Sequence, residues 1–410
     1  ITMLRQVFCL GKKVVANCTP DRVQKALEEY HYVESQLRPP TLAWEDDEEI
    51  ATPWTSVHFC DHLFTAGPLF SSHSDSNTVP TEKEIEDEKR SLNRLQETCD
   101  WMSLQFPAFC PISLIDFRDE YRLRSGLRHG PGAVADQRGL YYKYRFPEWS
   151  AKLHRVFDRS IFGSHRGQFD GDSPSSRESP SRIIAVPKTA KTPRLIASEP
   201  TCNMWTQQLV KDFLETGMRS TKLAWFIDFQ DQGRSRKLVR EASLSGLLAT
   251  VDLSSASDRL SCWVVERMFR MNHTLLNALH ATRTRWSRDD ISREPCFFKK
   301  KKFASQGTAV TFPVQTLFFL CCVLAVMPGR DIERKMMSLK GKVQVFGDDI
   351  ILPSTGYDSL RSLLHTLDLR VNDQKSYHKG FFRESCGFDG FLGYDITPTK
   401  PKTVDDDGPR

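Results

Sequence analysis

The segment KVQVFGDDIILPSTG, residues 342–356, sets two adjacent carboxylates, Asp348 and Asp349, between two apolar β-branched runs. Val343, Val345, Ile350 and Ile351 have strand composition, and Gly347 has the freedom a tight turn needs. A bare Gly-Asp-Asp is common turn chemistry. Two carboxylates at a hairpin tip have a sharper use, because they can hold Mg²⁺, which takes oxygen ligands and bridges to phosphates. That use calls for a third carboxylate. LLATVDLSSASDRL, residues 247–260, supplies Asp252 at the end of an apolar strand, where an unpaired charge is costly. If this strand lies beside the hairpin, Asp252 meets Asp348 and Asp349. Two Mg²⁺ ions about 4 Å apart would then relieve the repulsion and serve in-line displacement at phosphorus. Asp258 stands at the following helix start, where capping is the ordinary use of an aspartate.

Two other segments carry groups suited to a phosphate or a sugar. VPKTAKTPRLIASEP, residues 186–200, spaces Lys188, Lys191 and Arg194 three residues apart, which an extended strand would not keep on one face, but Pro187 and Pro193 break the strand and let them converge on a triphosphate. The plainer reading is a solvated basic loop. KKFASQGTAVTFPVQTLFFL, residues 301–320, opens a helix with Ser305-Gln306-Gly307, whose hydroxyl and backbone N–H groups can hold a ribose or a phosphate. Thr311 and Gln315 lie four apart on one face of that helix.

The elements that must position these groups alternate irregularly, which predicts an α+β core. Strands are expected at 182–186, 248–253 and 369–372, with a hairpin at 343–352. Helices are expected at 21–30, 206–214, 262–281, 312–327 and 357–367. Residues 82–100 read as a charged amphipathic helix with Ile85, Leu92 and Leu95 inward. The stretches 71–80 and 165–181 read as loops.

The order of these segments resembles motifs F, A, B and C of viral RNA-directed RNA polymerases. DLSSASDRL together with NDQKSYHKGFFRESCGFDGFLG, residues 372–393, resembles the levivirus, narnavirus and ourmiavirus branch. RHGPGAVAD at 128–136 and KYRFPEW at 143–149 look like the upstream segment of the same group. The resemblance covers roughly residues 125–398.

This resemblance implies a right-hand fold with an RNA-recognition-like palm, an antiparallel sheet backed by helices. Residues 1–110 stay unassigned, and 111–246 would be fingers, with the basic motif F at 182–208. Residues 247–398 would be the palm, with motif A at 250–260, B at 303–320, C at 343–352 and D/E at 369–393. A fingers insertion would fall at about 261–302. Residues 399–410 form a tail, so the thumb is expected to be truncated or reduced. Asp252 and Asp348 would be the main Mg²⁺ ligands and Asp349 the third acid, with Mn²⁺ able to substitute. Lys188, Lys191 and Arg194 would line the nucleotide's approach. Asp258, Ser305, Gly307, Thr311 and Gln315 would face the incoming nucleotide, and Lys375 would be a proton donor to pyrophosphate. Gln315 stands where many relatives carry Asn, and Asp258 follows Asp252 by six residues, as in the levivirus-like branch.

Composition is compatible with this. Residues 182–302 carry 22 Lys/Arg against 12 Asp/Glu in a chain whose net charge is only +5, so the middle is basic and suits a polyanion. Eleven cysteines without a CxxC pair argue against a disulfide framework or a zinc site and for a reducing compartment. The longest apolar run, 317–327, is short of the roughly 20 residues a membrane span takes. The chain opens on Ile and without a signal-peptide pattern, and is read as processed or incomplete. The expected partners are template and product RNA, ribonucleoside triphosphates and host protein subunits, in the cytoplasm or mitochondria of an infected cell. A reverse transcriptase would carry an aromatic-x-Asp-Asp turn, which Phe346-Gly347-Asp348-Asp349 also fits, and a bulky gate after Asp252, where this chain's turn holds only Ser and Ala. A non-catalytic RNA-binding protein would need no placed carboxylates.

Overall fold

The computed structural model describes residues 2–9, 17–42, 57–61, 81–114, 126–136, 143–163, 178–188, 192–292 and 294–399. The loop expected at 71–80, most of the one at 165–181, and Lys191 lie outside these residues.

The chain is a mixed α+β structure. Strand β1 (Ser181–Val186) pairs antiparallel with β2 (Arg194–Ser198). Next comes β3 (Leu248–Val251), then β4 (Leu253–Ser254), and the hairpin β5 (Trp286–Asp289) and β6 (Cys296–Lys299). Strands β7 (Gln344–Phe346), β8 (Asp349–Pro353) and β9 (Arg370–Val371) follow, and β10 (Phe382–Ser385), β11 (Phe388–Phe391) and β12 (Tyr394–Asp395) close the series. The sheet orders are β2-β1-β5-β6, β3-β8-β7, β4-β9 and β10-β11-β12.

The expected hairpin is β7–β8, with Phe346 opposite Asp349 and the two-residue turn Gly347-Asp348 between them. Gly347 has φ 64°, the left-handed conformation that a tight strand turn demands at its first central position. Side chains in the central sheet alternate between two cores, which is why its strands read as unbroken apolar runs. Ala249, Val251, Ile350 and Leu352 join the main core, while Leu248 and Ile351 pack with Leu238, Val239, Ala242 and Phe388. The main core is built around the helix Thr311–Val326, which packs on the helices Glu82–Ser103 and Tyr357–Thr366. Its sequence is apolar nearly all round, so it is buried nearly all round, Cys321 and Cys322 included.

Two expectations need correction. The single helix expected at 262–281 is two, Cys262–Met268 and His273–Thr282. Asn272 makes the break: its side chain accepts from Leu275 N–H and donates Nδ2 to the carbonyls of Ser103, Phe106 and Pro107. A continuous helix would forfeit those buried bonds. In the helix Glu82–Ser103, Leu92 and Leu95 are fully buried, but Ile85 is 39 % exposed, because the first turns project beyond the packed part.

Candidate functional site

The β3–β8 register sets Val251 opposite Ile350, so the next residue, Asp252, stands level with Asp349, at the foot of the Gly347-Asp348 turn. Asp252 is held from both ends. Its carbonyl accepts from Asn372 N–H at 2.8 Å, and its Oδ2 accepts from Asn372 Nδ2 at 2.9 Å. Lys375 Nζ lies 3.4 Å from the same oxygen. Asp348 is half-buried, and burial, then the nearby charge of Asp252, push its pKa up. Both line one cleft of about 760 Å³.

Asp349 departs from expectation. Its Oδ1 accepts from Cys386 N–H at 3.1 Å and Ser385 Oγ at 3.3 Å, at the β10–β11 turn. Burial raises its pKa to about 6; the Cys386 N–H opposes this, and the charges of Asp348 and Asp252 add to it. It is absent from the cleft lining. Among the described residues no three His, Cys, Asp or Glu side chains form a ready metal cage. Asp252 and Asp348 thus share the cleft as a pair, and Asp349 lies beside them, near enough to feel both charges. The pair still fits a hard divalent cation as an open foothold: two carboxylate donors repel each other at the edge of a polar cleft, leaving other coordination positions to water or phosphate.

Cations face the pair. Lys188 and Arg194 flank the β1–β2 connection and line the cleft with Lys375. The pKa of Lys188 is lowered by burial and then by its neighbours Arg194 and Lys375, while Asp348 and Asp252 pull it upward.

The cleft's other wall is the loop 305–307 and the start of the long helix. Thr311 Oγ1 donates to the Ser305 carbonyl at 2.9 Å. Ser305 itself is buried behind the wall, its Oγ 3.1 Å from Tyr30 Oη, and does not line the cleft. Gln315 lines it with a buried Oε1 that has no hydrogen-bond partner among the described residues. Gly307 has φ 110°, and a Cβ there would stand 2.3 Å from the Ala197 carbonyl oxygen. Gly307→Ala should therefore detach the loop from β2, where Ala197 N–H donates to the Gln306 carbonyl at 2.7 Å. The expected cost is about 1–3 kcal/mol, read as a lower urea midpoint at unchanged slope.

Asp258 does not cap its helix. Ser255 is the N-cap residue, and Asp258 Oδ1 pairs with Lys302 Nζ at 3.1 Å. Lys302 is fully buried, 3.5 Å from Glu34 Oε2 and 3.4 Å above the ring centre of Tyr30. Burial opposes its charge, yet Asp258, Tyr30 and Glu34 outweigh that and raise its pKa. Sequence reasoning missed Tyr30, Glu34 and Lys302. Lys302 ends a run of four lysines that reads as solvated charge, and two of its partners, Tyr30 and Glu34, lie some 270 positions away. Glu29 and Tyr30, on the helix Pro20–Gln36, line the cleft and give the unassigned N-terminal segment a place in it.

A cleft that sets a carboxylate pair against three cations has a charge pattern that suits a polyphosphate. The chain belongs to the RNA replicase, beta-chain family, whose model matches residues 160–404. It is 33% identical over 218 residues to the RNA-directed RNA polymerase subunit beta of Escherichia virus Qbeta, covering 53% of this chain and 34% of that protein. It is 30% identical over 216 residues to the RNA-directed RNA polymerase beta chain of Escherichia phage MS2, covering 53% of this chain and 36% of that one. The chain thus matches about a third of the length of these relatives. A solved RNA-dependent RNA polymerase of a human picorbirnavirus aligns over 53% of this chain and 45% of its own, at 11% identity and a TM-score of 0.37.

Proposed function

We propose that this chain is the catalytic part of a viral RNA-directed RNA polymerase, which adds ribonucleotides to RNA against an RNA template. The carrying observation is the Asp252–Asp348 pair facing Lys188, Arg194 and Lys375 in one cleft, in a chain of the replicase beta family. On this reading the β3-β8-β7 sheet and its helices are the palm, and the β2-β1-β5-β6 sheet belongs to the fingers.

Asp252 and Asp348 would hold the divalent cation, Mg²⁺ or Mn²⁺. Once bound, it would lower the pKa of the attacking 3′-hydroxyl and offset charge on the transferred phosphate. Lys188 and Arg194 neutralise the triphosphate, with Lys191 proposed beside them. Lys375 sits against Asp252 and is positioned to give a proton to the leaving pyrophosphate. Asp258, Thr311 and Gln315 face the ribose, while Gly307 lets the loop approach closely, with Ser305 supporting it from behind. Asp349 is proposed to brace the β10–β11 turn against the catalytic hairpin, a supporting acid rather than a ligand. Template RNA, product RNA and ribonucleoside triphosphates are the partners, the cytoplasm of an infected cell is the setting, and further subunits complete the enzyme. No helix among the described residues is long and apolar enough to cross a membrane.

The direct test is Mg²⁺-dependent extension of a primed RNA by the purified chain. Extension that needs template, metal and all four ribonucleotides supports the reading, and its absence under conditions where the chain is folded and binds RNA counts against it. Lys188→Gln should raise KM about tenfold for all four nucleotides alike, since phosphate contacts carry no base information. A change confined to template affinity would remove Lys188 from the triphosphate path.

A further inference from the structure

A second cavity, of about 380 Å³, adjoins the cleft without sharing its residues. Successive residues divide the two hollows. Asp258 lines the cleft and Arg259 the cavity, while Asn372 lines the cleft and Arg370 and Val371 the cavity.

The cavity is lined by three arginines, Arg259, Arg361 and Arg370, with His365 beside them. Its two carboxylates are already engaged. Asp373 pairs with Arg361 at 3.2 Å, and Asp368 pairs with Arg38 at 3.5 Å. Among the described residues no carboxylate pairs with Arg259 or Arg370 within salt-bridge distance. Arg259 is only 7% exposed. Its Nη1 donates to the Asp368 carbonyl at 3.2 Å, and its Nε is buried without a hydrogen-bond partner. Burial, and after it the charge of Arg370, lower the pKa of this guanidinium, and the nearby Asp368, Glu29 and Tyr32 offset this only in part. A buried cation with an idle donor, pressed by a second cation beside an open hollow, is costly unless an anion completes it. Guanidinium forks match phosphate oxygens, and the volume falls in the range of small-ligand sites, roughly 300–1,000 Å³.

We infer that this cavity is a second phosphate site, separate from the cleft, which takes the diphosphate or triphosphate group of a free small molecule. Arg259 and Arg370 grip the phosphates, and Arg361 and His365 frame them. The inference does not rest on the polymerase reading. It has one consequence for that reading: a ligand on Arg259 bears on the same short helix that presents Asp258 to the cleft.

Equilibrium dialysis with radiolabelled inorganic pyrophosphate, without divalent metal, tests it. The full chain should bind two equivalents. Arg370→Gln, at an exposed position, should weaken one equivalent at least ~tenfold and spare the other. The double variant Lys188→Gln/Arg194→Gln should show the converse pattern. The inference is overturned if Arg370→Gln binds both equivalents like the parent, or if the chain binds a single equivalent that the Lys188/Arg194 variant abolishes. A 5′-hydroxyl RNA hexanucleotide separates the phosphate sources. Displacement of the Arg370-dependent equivalent by that RNA would give the site to a strand's backbone and overturn the free-ligand assignment. Primer extension is scored separately, so failure of one reading leaves the other standing.

Discussion

Asp348→Asn should lower nucleotide addition at least ~10³-fold while leaving RNA affinity within about twofold, because metal-assisted charge stabilisation in such a site is worth several kcal/mol. The expectation follows from where the carboxylate sits. It occupies the turn of a hairpin, half-buried, facing Asp252 and within reach of the charges on Lys375 and Lys188. Its charge contributes little to folding, since burial and Asp252 both disfavour it. The amide is isosteric and removes a repulsion, so Asp348→Asn should be at least as stable as the parent. Asp349→Asn should behave differently. It would weaken the acceptor for Cys386 N–H and Ser385 Oγ, so part of its effect should appear as lost stability of the β10–β11 region. A chain with Asp348→Asn that retains more than a tenth of parental extension would remove Asp348 from the chemistry. Equal loss of RNA binding in that variant would instead assign it to template contact.

What was legible in the sequence was local. The Gly-Asp-Asp hairpin announces itself through a glycine between two apolar strands, and the structure gives β7, a two-residue turn and β8. Asp252 was legible because a charge closing an apolar strand needs a reason, and it lies at the foot of that turn. Lys188, Arg194, Thr311 and Gln315 reach the same cleft through elements whose type was readable. What was not legible depended on distant partners. Asp348 and Asp349 are neighbours in sequence, yet Asp348 lies in the turn and Asp349 opens β8, so their side chains leave in different directions. One faces the cleft and the other the Ser385-Cys386 turn, and nothing in a Gly-Asp-Asp triplet says so. The helix break at Asn272 had a local signal, an Asn before His-Thr, but its strength comes from three carbonyls in the 103–107 segment.

Lys302 is the clearest case of this kind, and Lys302→Met should cost about 3–5 kcal/mol of stability, the penalty for leaving buried charge uncompensated. Read as the end of a lysine run, the residue predicts a change within about 0.5 kcal/mol, as at any solvated surface position. Its geometry argues otherwise. Nζ is fully buried between Asp258 Oδ1 and Glu34 Oε2 and lies over the ring of Tyr30. Glu34 Oε1 would still accept from the Lys301 and Lys302 backbone N–H groups, but Oε2 would lose its ion pair with Lys302 and stay buried. Adding Glu34→Gln to Lys302→Met removes one orphaned charge, so the double variant should recover part of the loss, a coupling that independent sites would not show. Urea denaturation of the parent, both single variants and the double variant measures it. The same variants report on ribose selection. Asp258 reaches the cleft while tied to Lys302, and a site that hydrogen-bonds a substrate hydroxyl rejects the analogue lacking it. Asp258→Ala should therefore narrow the kcat/KM ratio of GTP to dGTP, chiefly by slowing GTP, and Lys302→Met should narrow it as well because Asp258 loses its tether. If Lys302→Met lowers the urea midpoint but leaves the ratio unchanged while Asp258→Ala alters it, Lys302 only holds the fold. If neither variant moves the ratio, Asp258 faces the cleft without reading the sugar.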